Sequence, residues 1–416
     1  MKTNVISFLL GAAMVLPLAA QQGPEVGQVH FQTSCSAAVQ PDFDRAVAML
    51  HSFWYGEAEK TFESVAARDP KCAMAYWGEA MTRYHQLWGP NNVDDAGGKA
   101  AVAHARELAA KASPRERQFI EAIGVYYDGA GRSSPGQRAR AYAAQMAKVS
   151  MAFPDDPEAA VFHALALIAT ADPSDRSFAQ RKQAAAILKK IEAQQPRHPG
   201  VAHYLIHAYD SPELAQFGLP AARVYAKLAP AAPHALHMPA HIFTQLGLWD
   251  EAIATDLNAV AAAEKEEQEH HEHGVGRGRL HSYDFLEYAY LQRGDDAAAR
   301  KILDEITGPD APALTVDAAL QHALAAIPAR YALERRDWAE AEKLPLRAGT
   351  DPIAESIIRM ARGVGAARLG HIQGVKQEIA AMQDLENRTP GLWRSRAHIQ
   401  FLIVAGMLAH AEHQDD

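Results

Sequence analysis

The clearest pattern in the chain is the spacing of its apolar residues, which recur every three or four positions from residue 41 onward. In one early segment, for example, Ala58, Phe62 and Val65 share a single helical face. Breaks rich in glycine, aspartate and proline separate such segments from one another. No segment alternates apolar and polar residues for long enough to form a convincing strand. The pattern therefore predicts an all-α protein built from paired helices.

A repeat of 34 residues is visible within the segment 196–252. Three kinds of landmark recur at that interval: Pro196 and Pro230, His203 and His237, and His207 and His241. A period of 34 residues is the length of one helix–turn–helix unit in a tetratricopeptide solenoid. Each helix pair carries an apolar face that it cannot bury alone, so neighbouring pairs stack on one another. We therefore expect an α-solenoid over residues 41–413.

Four turns along the chain, LGLWDEA, QRGDDAA, ERRDWAEA and RLGHIQG, resemble the inter-helix turn of tetratricopeptide repeats. Each places a small residue where two helices would touch: Ala252, Ala299, Ala341 and Val375. The resemblance covers roughly residues 40–413 and implies a right-handed superhelix. The segments HALHMPAHIFTQLGLWDEA and HPGVAHYLIHAYD also resemble a group of exported bacterial tetratricopeptide proteins. That group has no settled activity, so this likeness implies a fold and a compartment alone.

The start of the chain, residues 1–20, has the layout of a secretory signal peptide, with Lys2, an apolar run at 5–18, and small residues at the end. The run is too short for a comfortable membrane span. We therefore expect an exported protein, periplasmic or secreted, with no membrane span in the mature chain. A buried N-terminal helix is the alternative interpretation. Residues 21–40 are polar and aperiodic, which predicts an extended arm.

Three further stretches interrupt the helical pattern, and we interpret them as insertions. The stretches 89–98 and 128–136 are rich in turn-forming residues. The third, 264–279, joins the charged run EKEEQEHHEH to the glycine-rich GVGRG, which we interpret as a solvated run followed by a flexible connector.

Charge and motif content exclude several functional classes. The formal net charge is −9, whereas nucleic-acid-binding proteins present a basic surface, so we expect no nucleic-acid partner. The sequence contains no GxxxxGK[ST] phosphate loop, no GxSxG nucleophile elbow and no HExxH zinc motif. Nothing therefore supports a P-loop nucleotidase, a hydrolase with that elbow or a metalloprotease of that type.

The chain has two cysteines, Cys35 and Cys72. In an exported protein such a pair predicts one disulfide, which here would join the arm to the second repeat. Two free buried thiols are the alternative.

The repeated histidines are candidates for a metal site. His203 and His207 are four residues apart, so they share one face of a helix, and His237 and His241 repeat that spacing in the next unit. Asp210 lies close by as a further ligand or as an orienter of a histidine N–H. Imidazole suits zinc, copper or iron. The alternative is that all four histidines face the core and repeat because the packing repeats.

A second set of residues extends the same surface. Since first helices line the concave groove in solenoids of the family that the chain resembles, we expect aromatic and polar side chains to line a ligand groove. The candidates are His51, Trp54, Trp77, Tyr84, His85, His163, His281, Tyr283 and Asp284. Core packing is the alternative for the tryptophans, because large aromatics at helical spacing are mostly buried.

These observations favour an exported binding or scaffold protein, whose groove takes a peptide, a protein partner or a small ligand. The competing interpretation is a transition-metal protein or metalloenzyme with a histidine cluster on two adjacent repeats. The sequence leaves catalysis open.

Overall fold

A computed structural model describes residues 25–87, 93–271, 275–308, 318–389 and 391–412. Within these ranges all regular structure is helical, and the predicted all-α solenoid is confirmed. None of the described helices combines the length and the apolar character needed to cross a bilayer. The predicted signal peptide, residues 1–20, lies outside the described residues.

The helices alternate between first and second members of stacked pairs. Their bounds are α1 Gln40–His51, α2 Tyr55–Arg68, α3 Ala73–Thr82, α4 Asp95–Leu108, α5 Pro114–Asp128, α6 Pro135–Ala152, α7 Pro157–Ala169, α8 Ala179–Gln194, α9 Pro199–Tyr209, α10 Ala215–Leu228, α11 Pro233–His237, α12 Pro239–Gln245, α13 Trp249–Glu269, α14 Arg277–Gln292, α15 Asp296–Thr307, α16 Ala318–Glu334, α17 Trp338–Glu342, α18 Pro352–Arg368, α19 Ile372–Arg388 and α20 Gly391–Ala411.

Stacking runs through the first helix of each pair. Helix α1 contacts α3, α3 contacts α5, and α7 contacts α9; the series continues through α12, α14, α16, α18 and α20. In the sixth pair the first helix is divided into α11 and α12. Pro239 stands at that division because proline has no backbone N–H to continue the helical ladder.

Helix occupies part of each of the three stretches that we interpreted as insertions. Residues 95–98 form the first turn of α4, and residues 88–92 lie outside the described residues. The charged run at 264–269 completes α13, because glutamate and lysine favour helix when no proline or glycine interrupts them. Within the stretch 128–136, residues 129–134 form the turn between α5 and α6.

The first five helix pairs curl until they meet, since α1 packs against α9. His51 at the end of α1 makes this contact twice. Its ring Nδ1 lies 2.9 Å from the hydroxyl of Tyr204, and its carbonyl oxygen accepts a hydrogen bond of 2.6 Å from His203 Nδ1–H. The N-terminal half of the solenoid is therefore closed.

The N-terminal arm lies where the first helices converge. Residues 25–39 form no helix, yet Phe31 in their middle is completely buried. Its ring centroid lies 5.6 Å from that of Phe43 in α1, 5.2 Å from Trp77 in α3 and 5.0 Å from Phe119 in α5. The chain thus fills this part of its own concave surface.

The arm is also joined covalently to the second helix pair. Cys35 and Cys72 form the predicted disulfide, with their Cα atoms 4.8 Å apart. It closes a loop over a sequence separation of 37 residues, and such a crosslink stabilises the fold mainly by restricting the unfolded chain.

Replacing the arm's buried ring tests its role in stability. We expect Phe31→Ala to lower the free energy of unfolding by about 3–5 kcal/mol, because a buried ring is lost and a cavity is left among three helices. Urea unfolding followed by circular dichroism measures the change. Phe217→Ala is the matched control, since that ring is 53% exposed. Equal losses for the two variants would contradict a structural role for the arm.

Candidate metal centre

Three neighbouring segments bring six histidines together. Helix α9 carries His203 and His207 one turn apart. The divided helix α11–α12 carries three more, and α14 carries the sixth: His234, His237, His241 and His281. Proline opens α9, α11 and α12, so each of these helices begins at a fixed point and presents its histidines in the same register.

The first triplet consists of His203, His207 and His234. One ring nitrogen from each lies within 4.8 Å of the other two. The Nε2 atoms of His203 and His207 are 3.1 Å apart. Two nitrogens bound about 2.0–2.1 Å from the same tetrahedral ion are themselves about 3.3 Å apart, so the observed spacing suits one ion.

The second triplet consists of His237, His241 and His281. Its ligand atoms also lie within 4.8 Å of one another, and the Nε2 atoms of His237 and His241 are 3.1 Å apart. The two triplets adjoin, since the ring centroids of His207 and His241 are 6.4 Å apart, as are those of His234 and His237. The arrangement offers two adjacent three-imidazole sites.

Three of the six rings are held from behind through Nδ1. The partners are the His51 carbonyl oxygen for His203 at 2.6 Å, Asp256 for His237 at 2.7 Å and Asp210 for His241 at 2.9 Å. A carbonyl oxygen accepts only, so the proton of His203 is on Nδ1 and its Nε2 lone pair faces the triplet. Such outer partners orient ligating imidazoles in metal proteins.

Burial and neighbouring imidazoles keep most of the cluster uncharged. Desolvation, reinforced by nearby rings, lowers the pKa of His203, His234, His237 and His281 well below the usual value. The pKa of His207 falls to about 3 for the same reasons. His241 differs, because the Asp210 carboxylate outweighs desolvation and raises the pKa of its ring. Neutral imidazole is the form that binds metal.

The carboxyl groups behind the cluster differ from each other. Complete burial raises the pKa of Asp256 well above its usual value. Despite its desolvation, Asp210 has a lowered pKa, because His241 lies beside it and donates a hydrogen bond to it. Asp210 therefore contacts the back of a histidine rather than joining either triplet.

All four histidines predicted from the 34-residue repeat reach the cluster, but they divide between two triplets instead of forming one site. His234 was not predicted, because it has no histidine counterpart in the preceding repeat. Its position three residues before His237 on a helix was the available signal. His281 was predicted for the groove and instead completes the second triplet.

Some of the other residues predicted for the groove lie in the hydrophobic core, and others line a cavity. Trp77 and Tyr84 are buried and correct the expectation of an exposed groove. Trp77 is surrounded by rings of α1, α5 and the arm, and Tyr84 lies 3.9 Å from Tyr126 between ring centroids. Closure of the first five pairs removes this surface from solvent.

Further groove candidates have other partners. Tyr283 is buried and donates a 2.8 Å hydrogen bond to Glu305, while Asp284 pairs with Arg330. His163 is half-buried and belongs to neither triplet. These three residues do not join the candidate centre.

A third buried cluster supports the centre from behind. Glu158 pairs with His51 Nε2 and with His198 Nε2, each at 2.9 Å, and all three side chains are essentially inaccessible to solvent. The two imidazoles lower the pKa of Glu158 despite its desolvation. Because His51 also binds His203 through its carbonyl oxygen, this cluster fixes the position of a ligand.

Two cavities reach the histidines. One has a volume of about 410 Å³ and the other about 500 Å³, and both are lined in part by His234 and His281. Trp54 and His85, predicted for the groove, line the larger cavity, where Trp54 Nε1–H donates to Glu266 at 2.7 Å. A small molecule therefore has space beside both triplets.

Comparison with solved structures finds distant likenesses. No family model and no curated protein matches the chain. Among solved structures, the chain is similar to one of the APC/C hetero-tetramer Cut9-Hcn1, with 12% identity over 90% of this chain and 76% of that one, at a TM-score of 0.35. It is also similar to the P58(IPK) TPR domain, with 11% identity over 90% and 99% of the two chains, at a TM-score of 0.23.

The titration of the cluster predicts how stability depends on pH. We expect the metal-free protein to lose stability as the pH falls from 7 to 5. In that range unfolded histidines take up protons near pH 6.5, while the buried rings of the cluster other than His241 do not, so acid favours the unfolded chain. For His207, whose folded pKa is about 3, the loss is about 1.4 kcal/mol for each pH unit below 6.

Urea unfolding at pH 7, 6 and 5 measures this loss. The variant His207→Gln should show a shallower dependence, because one titrating group has been removed. Stability that stays constant or rises on acidification would contradict the buried, neutral state of the cluster.

Proposed function

We propose that this tetratricopeptide-like solenoid is a transition-metal-binding protein that holds one ion in each histidine triplet. A single observation carries the proposal: six imidazoles converge, and within each triplet two Nε2 atoms approach to 3.1 Å. Paired nitrogens at that distance share either a hydrogen-bond proton or a cation. A hydrogen bond joins only two of the rings, whereas one ion would engage a lone pair of all three histidines in each triplet, and that convergence favours the cation.

The donor set narrows the identity of the metal. Each triplet offers imidazole nitrogen alone, whereas non-haem iron sites usually include a carboxylate ligand. Asp210 and Asp256 are hydrogen-bonded to the outer nitrogens instead. Copper and zinc therefore fit the residues better than iron. Each three-ligand site leaves a coordination position for water or a bound molecule, as catalytic zinc sites do.

The two carboxyl groups also suit a cationic centre. With a metal ion in place, negative charge on Asp210 and Asp256 would be stabilised through the imidazole between each carboxylate and the ion. Without an ion, Asp256 is buried with an oxygen that has no hydrogen-bond partner. Such an oxygen is costly in an apolar interior, and a bound cation offsets that cost.

We also propose export to an oxidising compartment. The signal-peptide-like start of the sequence supports this, and so does the disulfide between Cys35 and Cys72, since structural disulfides are typical of exported proteins.

Peptide binding in the concave groove receives less support. The arm occupies the surface where α1, α3 and α5 converge, and the aromatic residues expected there are buried. We therefore place the ligand site at the histidine centre.

Metal content tests the proposal directly. We expect protein purified without a histidine tag and loaded with Zn²⁺ or Cu²⁺ to retain about two ions per chain after dialysis, by plasma mass spectrometry. His234→Ala and His281→Ala each remove a ligand from one triplet, so each variant should retain about one. Loaded protein should also melt at a higher temperature, because the ions bind only the folded state.

His163→Ala is the control, since that half-buried histidine lies outside both triplets, and it should retain two ions. Wild-type protein that holds no metal after loading, or triplet variants that lose none, would exclude the proposed centre.

A further inference from the structure

The larger cavity, of about 500 Å³, has the properties of a small-molecule site. Its volume lies within the range of about 300–1,000 Å³ that is common for such sites. His234, His237 and His281 line it, so both triplets contribute to its wall. Most of its remaining lining is apolar or aromatic, including Leu87 and Leu320.

Near-parallel rings cover one wall of this cavity. The rings of Tyr55 and His85 are stacked with centroids 4.1 Å apart, and those of Phe53 and Tyr55 are stacked at 5.4 Å. The last ring of this series is that of His234, a candidate metal ligand. Phe53 stacks on it with centroids 5.5 Å apart and an interplanar angle of 20°. A flat aromatic guest packs well against rings arranged in this way.

The backbone of Phe53 adds an independent sign of function. This residue has a φ of 55°, in the left-handed region that a bulky side chain rarely adopts. The conformation is unfavourable for a residue with a Cβ atom and persists only where the surroundings enforce it. Here it directs the ring to within 4.4 Å of His203 and onto His234. Such strain is concentrated at binding and catalytic sites.

Charge at the histidine end of the cavity determines which chemical group a bound molecule would place there. Metal ions in the triplets would make the histidine end of the cavity positive and would favour an anionic oxygen there. A hydroxyl bound to a metal ion loses its proton more readily, as metal-bound water does. Away from the histidines, the charged residues of the lining are Glu266 and Arg277, and Glu266 already accepts a hydrogen bond from Trp54.

We propose that this cavity binds a phenolic ligand, whose ring packs against the wall formed by Phe53 and Tyr55 and whose ionisable oxygen is directed at the metal ions. The inference rests on the proposed metal binding. It assigns phenols to the cavity of about 500 Å³, which the rings of Phe53, Tyr55 and His85 line, and not to the neighbouring one, which lacks these rings.

Calorimetric titration of the zinc-loaded protein with phenol tests this inference. Zinc is used because it has no redox chemistry that would consume the phenol. We expect saturable binding to the wild type that weakens at least tenfold in Gly56→Leu. Gly56 lines the cavity at an exposed position, and a Cβ atom added there meets nothing within 4 Å, so a leucine is tolerated there and adds bulk to the lining.

Two controls make the result specific. Gly136→Leu introduces the same side chain at the second residue of another helix, outside this cavity, and should bind phenol as the wild type does. Phe178→Ala alters the neighbouring cavity and should also leave binding unchanged. Cyclohexanol, a ring without an acidic hydroxyl, should bind at least tenfold more weakly than phenol.

Metal analysis of each sample separates the two proposals. If the zinc-loaded wild type does not bind phenol, this inference is overturned, while the proposal of metal binding still stands. The inference would also be overturned if Gly56→Leu or the metal-free protein bound phenol as tightly as the zinc-loaded wild type does. The same holds if the zinc-loaded wild type bound cyclohexanol as tightly as phenol. Failure to retain any metal would remove both proposals.

Discussion

The contact between α1 and α9 is the constraint on which both the fold and the candidate site depend. An open solenoid would expose His203 to water on one side. In the closed form, the carbonyl oxygen of His51 accepts the His203 Nδ1–H, while the His51 ring pairs with Glu158 and Tyr204. Because that carbonyl fixes the tautomer, the Nε2 lone pair faces the other histidines. The contact between α1 and α9 therefore closes the core of the first five helix pairs and also orients His203 as a candidate metal ligand.

The sequence predicted what depends on local geometry. Helix periodicity and the 34-residue repeat indicated the solenoid and placed four histidines at equivalent points, because neighbouring repeats stack in one register. Closure accumulates from small rotations between repeats and has no local signature. For that reason Trp77 was expected in a groove and is found in the core. The role of Phe31 escaped prediction for the same reason, and His234 because it does not repeat.

Several features of the candidate site lower the free energy of unfolding, and the packing of the rest of the fold offsets this loss. Several neutral imidazoles are desolvated together, Asp256 is buried, and Phe53 adopts a strained backbone conformation. Around them, the arm, the disulfide and the rings of the first helices form a dense core. Buried polar groups and backbone strain are thus concentrated where ligands would bind, while the surrounding helices are packed in the usual way. This distribution is expected of a functional site.

Hydrogen bonds join the arm to distant parts of the chain, and they have a consequence for folding. The Gln28 N–H donates to the Arg197 carbonyl oxygen, and the Ala231 N–H donates to that of Glu25. Ordinary repeat arrays fold by propagation from any nucleus, since each unit contacts only its neighbours. Here the arm reaches its partners only when the chain near residues 197 and 231 is in place, and closing so long a loop slows folding. We therefore expect the first half to fold as one cooperative unit, and the second half to keep the stepwise growth of a repeat array.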